Sequence, residues 1–530
     1  MVGTFDRPLR AIRCYIDKIS LLARTRCCLY ELTEMRLLNC RTLKFQDFDE
    51  KNIPRYLILS HRWSTWGEVT HKDFHKGRQK TLSGYEKIIS FCKFTCGRTL
   101  GLDSRFYDWV WIDSCCIDKR SSAELSEAIN SMYRWYERAD ECIVYLADAS
   151  ALDARREAVE LRFRSSEWFT RGWTLQEVLA PTIVVFCSCE WEVIGHKCHA
   201  LDPSECFHDK GDYGPLLTES IAAVTGIQLP YLANPDWIQH ASIARRMSWA
   251  ADRVTTRVED LAYCLLGIFQ VTMPLLYGEG AFAFQRLQEE LIRRSNDHSV
   301  FAWISGDHSY NRYSGLLAPS PKHFKACECI EYCRQEAPME VSLTNRGIKL
   351  RCKPISISQE MTLGDRTCIM TPKAGDSMQL PLTKARKSDE VTMYFIELNC
   401  KRTLPTPDQP GRVQSKAQRQ DPTPGSGTEL SKPGTIKRSL IHAGVGRCVL
   451  ILVRGRRDET YIRFSPALSI DAHTLGFDLA SASLATEDKV FTVQRTLNID
   501  TTSELHHDQA MDPDFGSQEA TRSWLHHPSP

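Results

Sequence analysis

One carboxylate stands in an otherwise apolar and aromatic stretch, WFTRGWTLQEVLAP, which runs from Trp168 to Pro181. Glu177 supports two readings there. Thr174-Leu175-Gln176-Glu177 has the spacing of a capping box, in which the Glu side chain reaches back to the amide that opens a helix. A carboxyl buried beside Trp168, Phe169 and Trp173 would instead have its pKa raised and its field on a cationic transition state strengthened. A helix N-terminus pulls the pKa the other way. Spacing alone favours the cap, because perturbed acids are a minority of buried ones.

Other polar groups stand at the ends of apolar runs. Ser60 and His61 follow YLIL, and Asp113 closes DWVWID. Taken singly, Ser60 and His61 fit a turn with local backbone hydrogen bonds, and Asp113 fits a helix cap or an ion pair. Cys115 and Cys116 lie beside Asp113, but no orienting His for a thiol nucleophile is identifiable. The segment FCSCEWEVIGHKCHA holds Cys187, Cys189, His196, Cys198 and His199. C-x-C with nearby His is compatible with zinc, yet the spacing is not that of a zinc finger and the first Cys ends an expected strand, so no metal is expected. Cys327, Cys329 and Cys333 are weaker still. GEGAF (Gly278 to Phe282) lacks both the full dinucleotide glycine pattern and the Lys of a phosphate loop, and reads as a tight turn into a helix.

The elements that must position these residues are legible as patterns. YLILS (56–60), DWVWID (108–113), ECIVYL (141–146) and TIVVFC (182–187) are short apolar runs rich in strand formers. Helical stretches separate them: TLSGYEKIISFCKF, and SSAELSEAINSMYRWYERA with a capping box at Ser121 and Glu124. Alternating strands and helices predict an α/β fold with a parallel sheet, and such sheets bind ligands at the carboxyl ends of their strands. Between about 201 and 298 the pattern is helical, with Phe284, Leu287 and Leu291 on one expected core face. From about 299 to 500 it is β-rich, as in GIKLRCKPISI, VTMYFIELNC, RCVLILVRG and ETYIRFS. A Pro-, Gly-, Ser- and Lys-rich stretch at about 401–437 and the tail 501–530 read as disordered, and residues 1–34 as a loosely attached extension.

At 530 residues, the chain exceeds one ordinary core. A formal net charge of +1 gives no global attraction to nucleic acid or anionic membranes. No apolar run approaches a bilayer span and no secretory pattern opens the chain, so a cytoplasmic protein with free thiols is expected.

The segments MRLLNCRTLKFQDF, IPRYLILSHRW, VWIDSCCIDKRSSAELSEAINSMYRWYERADECIVYLAD and WFTRGWTLQEVLAP together resemble a fungal heterokaryon incompatibility (HET) domain over about residues 35–200. The resemblance implies a role in non-self recognition and regulated cell death after fusion of unlike cells, with an incompatibility partner. HET domains are in turn similar to Toll/interleukin receptor (TIR) domains, which implies a flavodoxin-like sheet and, in some members, NAD cleavage on self-association. RGWTLQE is similar to the TIR stretch Ser-x-Trp-Cys-x-x-Glu, with Trp173 and Glu177 at matching spacing, Arg171 in place of the Ser and Thr174 in place of the Cys. The family's Ser-His-x-Trp-Gly reads Ser60-His61-Arg62-Trp63-Ser64 here, with Ser64 in place of the Gly, a change that either strains the turn and weakens a nucleotide pocket or shifts the turn by a residue. The resemblance thus implies Glu177 as the catalytic group, with Ser60, His61, Trp63, Asp113 and Trp173 lining a pocket for NAD as substrate and no tightly bound cofactor. The alternative it leaves is a non-enzymatic docking module in the same response.

Overall fold

The computed structural model describes residues 34–304 apart from 64–66, 101–102, 154, 203, 205 and 207–212, then 313–334, 339–345, 347–352, 392–403 and the strands named below. Seven strands build the first sheet: β1 (Glu34–Asn39), β2 (Phe45–Asp49), β3 (Tyr56–His61), β4 (Trp109–Ile112), β5 (Glu141–Tyr145), β6 (Val184–Cys187) and β7 (Val193–Lys197). Their spatial order is β2-β1-β4-β3-β5-β6-β7. The central four, β4-β3-β5-β6, are parallel. Antiparallel partners close both edges, β1 and β2 on one side and β7 on the other. The parallel core is thus the α/β sheet that the apolar runs predict, and all six residues of β3 are buried because helices cover both faces.

Those helices include α1 (Gly84–Gly97), α2 (Ser122–Arg138), α3 (Arg156–Ser165) and α4 (Thr174–Leu179). At the start of α2, Ser121 Oγ accepts from the Glu124 amide at 3.2 Å. Glu124 does not return the bond; its carboxylate takes the Asp118 amide at 2.7 Å and pairs with Arg36. The buried face of α2 sets Trp135 and Tyr136 against Trp111 of β4, with ring centroids 5.5 and 5.9 Å apart. Tyr136 also donates from its hydroxyl to the Leu59 carbonyl at 3.1 Å, tying the helix to β3.

The described residues up to Val300, with Ser320–Tyr332, form one compact unit. Its helical part breaks VEDLAYCLLGIF into two single turns, Asp260–Tyr263 and Leu266–Phe269. Phe282–Arg294 is one helix, and Phe284, Leu287 and Leu291 are buried on it as the spacing predicts. The Gly278 and Gly280 amides donate to Glu259 at 2.8 and 3.1 Å, so the GEG turn is filled by the chain's own carboxylate.

The described residues of Phe301–Pro319, Cys333–Lys401 and those from Val445 onward form a second unit. It is built of antiparallel strands, among them Glu340–Thr344, Gly347–Cys352 and Lys489–Val493 in one sheet. A second sheet holds Thr362–Gly364, Thr367–Met370 and Met378–Pro381. Tyr313–Ser314, Ile462–Phe464 and Gly446–Arg454 lie side by side in a third. The N-terminal extension, nearly all of the insertion expected at 401–437, and the tail 501–530 lie outside the described residues. Among the described residues no helix is long and apolar enough to cross a membrane.

Candidate functional site

In chain order the parallel strands are β3, β4, β5 and β6, and in space they run second, first, third, fourth. The order therefore reverses between β3 and β5, and in doubly wound sheets the crevice at the carboxyl end of such a reversal holds the ligand. β3 ends there on Ser60 and His61. β4 ends beside it, and Asp113 opens a single helical turn, Asp113–Cys116.

Glu177 reaches the same place from α4. The capping box expected at Thr174 does not form. α4 starts at Thr174 itself, its N-cap is Trp173, and no side chain caps it. The Thr174 hydroxyl instead faces the carbonyls of Trp168 and Arg171, at 2.7 and 2.9 Å, and accepts from Arg253 Nη1 at 2.9 Å. Glu177 is thereby left without a backbone partner and turns to the sheet, where the Ser60 hydroxyl makes a short hydrogen bond to its Oε2. Ser60 Oγ also accepts from Trp168 Nε1 at 2.8 Å. Trp168 is held edge-on by Phe169 and Phe186, with centroids 5.1 and 5.6 Å away.

Burial pushes the Glu177 carboxyl up to about 8; the Ser60 hydrogen bond works against this, the Asp113 charge adds to it, and Arg253 and Arg171 oppose it. Only 7% of Glu177 is exposed and none of Ser60. The dipole of a six-residue helix is outweighed by desolvation here.

The other expected residues form a contiguous patch. His61 Nε2 lies 3.4 Å from Glu68 Oε1 and 3.9 Å from Asp113 Oδ1, and its Nδ1 makes no hydrogen bond. Burial would raise the Glu68 carboxyl, but His61 and Lys87 outweigh it and hold Glu68 well below the usual carboxylate range. Trp63 is 37% exposed and donates from Nε1 to Asp113 Oδ2 at 2.8 Å. Lys119 sits over the Trp63 ring, 3.3 Å from its centroid and 3.9 Å from Asp113 Oδ2. Trp173 is half-buried and hydrogen-bonds the Asp260 carboxyl, which burial raises. Trp173 is thus joined to the patch through Asp260, whose charge also acts on Lys119. Ser64 lies outside the described residues. Three residues on, Gly67 has φ +79°, a left-handed backbone that glycine permits.

Sequence reasoning missed Glu68, Lys119, Arg253 and Asp260. The last two come from more than seventy residues beyond α4, and no local pattern marks them. Cys115 is fully buried, and that burial pushes its thiol well up, away from the thiolate a nucleophile needs. A cavity of about 220 Å³ lies by Arg156, Val159, Ile194, Leu201 and Leu216 and shares no residue with this patch.

A parallel α/β sheet with polar residues gathered at its order reversal defines the class of the first unit. Residues 56–162 match the family model described as Heterokaryon incompatibility protein (HET), and the chain carries a HET domain. That match holds Ser60, His61, Trp63 and Asp113 and stops before Trp173 and Glu177. Residues 282–314 match a Domain of unknown function (DUF8212). The chain is 43% identical over 256 residues to "Vegetative incompatibility protein HET-E-1" of Podospora anserina, a stretch that is 46% of this chain and 17% of that protein. The chain therefore covers less than a fifth of that relative's length. No solved structure matches the chain.

Proposed function

We propose that this HET domain is an effector of vegetative incompatibility in the cytoplasm that cleaves NAD and so triggers regulated cell death, acting on self-association or on contact with an incompatibility partner. The observation that carries the reading is Glu177. A buried carboxyl bonded to Ser60, which Trp168 holds in turn, at the carboxyl edge of the parallel strands is suited to stabilise a cation. The resemblance of RGWTLQE to a TIR catalytic stretch supports the choice of cation. The bond from ribose C1′ to the nicotinamide nitrogen breaks, its electron pair leaves with neutral nicotinamide, and the ribosyl centre becomes oxocarbenium-like. Water adds to C1′ and loses a proton, giving ADP-ribose. No general acid is required. Burial favours the protonated form of Glu177, and the positive nicotinamide ring favours its ionisation on binding. Trp63, Asp113 and Lys119 form the rim, offering a stacking face and a cation for the phosphates.

Enclosure of Ser60 and Glu177 favours a second reading, a docking module in which the pair is a polar brace of the core. Full-length protein, concentrated and incubated with NAD beside Glu177→Gln, separates the two by released nicotinamide. The enzyme reading expects a loss of about 100-fold or more in the variant. Equal release from both, or none from a folded and self-associated wild type, leaves the docking module.

A further inference from the structure

A second cluster of nitrogen and sulfur donors lies at the far edge of the sheet. β7 ends in His196 and Lys197, and Cys198 and Cys206 follow it in the chain. His196 Nε2 lies 3.1 Å from Cys206 Sγ, and Cys198 Sγ lies 3.5 Å from Cys206 Sγ. All three donor atoms fall within 4.8 Å of one another, and all three residues are buried. Cys187 and Cys189, the C-x-C pair that drew attention in the sequence, are not in this group; Cys189 turns to Glu190 at 3.1 Å.

The spacings are close to those of a metal's ligands, each about 0.3–0.5 Å shorter than a bound zinc would set them. A tetrahedral zinc with bonds of about 2.3 Å to sulfur and 2.05 Å to nitrogen sets two thiolates about 3.8 Å apart, and a thiolate about 3.6 Å from an imidazole nitrogen. A disulfide would need its sulfurs at about 2.05 Å, and both cysteines are free.

The histidine is also prepared for the role. Its other ring nitrogen, Nδ1, is 3.0 Å from the Gly214 carbonyl. A proton on Nδ1 donated to that carbonyl leaves the Nε2 lone pair facing the two sulfurs, the arrangement that backs a metal-bound histidine. The backbone holds Gly214 in place, since His196 N donates to Pro215 O at 2.9 Å and Leu217 N to His196 O at 2.7 Å. Cys198, Ala200 and Cys206 form a small apolar cluster of their own with Leu216 packed on it. A segment with so small a core gains the most from a metal cross-link.

We propose that His196, Cys198 and Cys206 bind a structural zinc ion that ties the 198–206 segment to the edge strand of the HET domain. Binding releases the two thiol protons to solvent, and the metal takes one imidazole and two thiolates, with one coordination position left for a further donor. The borderline-soft donor set selects zinc over magnesium or calcium.

Full-length protein purified under reducing conditions in the presence of zinc, then dialysed, is measured for metal by mass spectrometry. About one zinc per chain is expected for such a site. Cys206→Ser should lower the zinc content at least tenfold, and Cys189→Ser should leave it unchanged. Should Cys206→Ser fail to fold, cobalt added to metal-stripped wild type decides, because bound thiolates give a charge-transfer absorption that a site without sulfur lacks. Zinc-free wild type with no cobalt signal overturns the proposal. So does zinc retained by Cys206→Ser, or a Cys198–Cys206 disulfide found in unreduced peptides of the reduced-purified protein.

Discussion

Glu177 holds its proton because burial costs the charged form more than Ser60, Arg253 and Arg171 return. The consequence for stability has a definite sign. Between the ordinary value of 4.5 and about 8 the folded protein keeps this proton and the unfolded chain does not. Stability from this group is therefore fully present below 4.5 and declines as pH rises through that window. Glu177→Gln cannot ionise, and its amide oxygen can still accept from Ser60. Its margin over wild type should be small near pH 5 and on the order of 3 kcal/mol at about pH 7, read by urea unfolding. A margin that does not change with pH would sink this account. The same carboxyl shows what the sequence withheld at this scale. Its aromatic setting was plain in WFTRGWTLQE, but the cap that spacing favoured was lost because the Thr174 hydroxyl found nearer carbonyls.

Among the elements, the four parallel strands were legible because strands buried on both faces read as unbroken apolar runs. The edges were not. β2 reads FQDFD and is mostly exposed, so its polar residues mask the strand. β7 carries His196 and Lys197, both buried, in a segment whose residue types speak first of ligands. The second turn of VEDLAYCLLGIF makes a close packing contact that one residue exposes. A Cβ at Gly267 would lie 2.0 Å from Tyr133 Cβ and 2.4 Å from its Cγ. The turn Leu266–Phe269 meets α2 at that point, and only glycine permits the approach. Gly267→Ala should destabilise by about 1–3 kcal/mol, as overpacking does, with a lowered thermal midpoint. An unchanged midpoint would mean that the contact gives way freely.

For the molecule as a whole, the HET match ends at residue 162, but the compact unit does not. Arg253 donates to the Arg171 carbonyl at 2.8 Å as well as to Thr174, so the helical part anchors the start of α4. A chain cut after residue 200 keeps Ser60 and Glu177 yet loses Arg253, Asp260 and the Gly267 contact. Such a chain should protect the α4 amides from hydrogen exchange at least tenfold less than the full chain. Equal protection would mean that the HET domain stands alone.

Ser60 and Glu177 meet across 117 residues of chain, and Arg253, one of the charges that act on Glu177, follows later still. This imposes an order in time. On the ribosome, β3 emerges long before α4, and α4 before Arg253, while contacts so distant in sequence close slowly. A nascent chain that has not yet made α4 therefore carries Ser60 without Glu177, and one that has not yet reached Arg253 carries both without the side chain that anchors the start of α4. Whatever the assembled pair does, a chain in mid-translation cannot do it before α4 has left the ribosome.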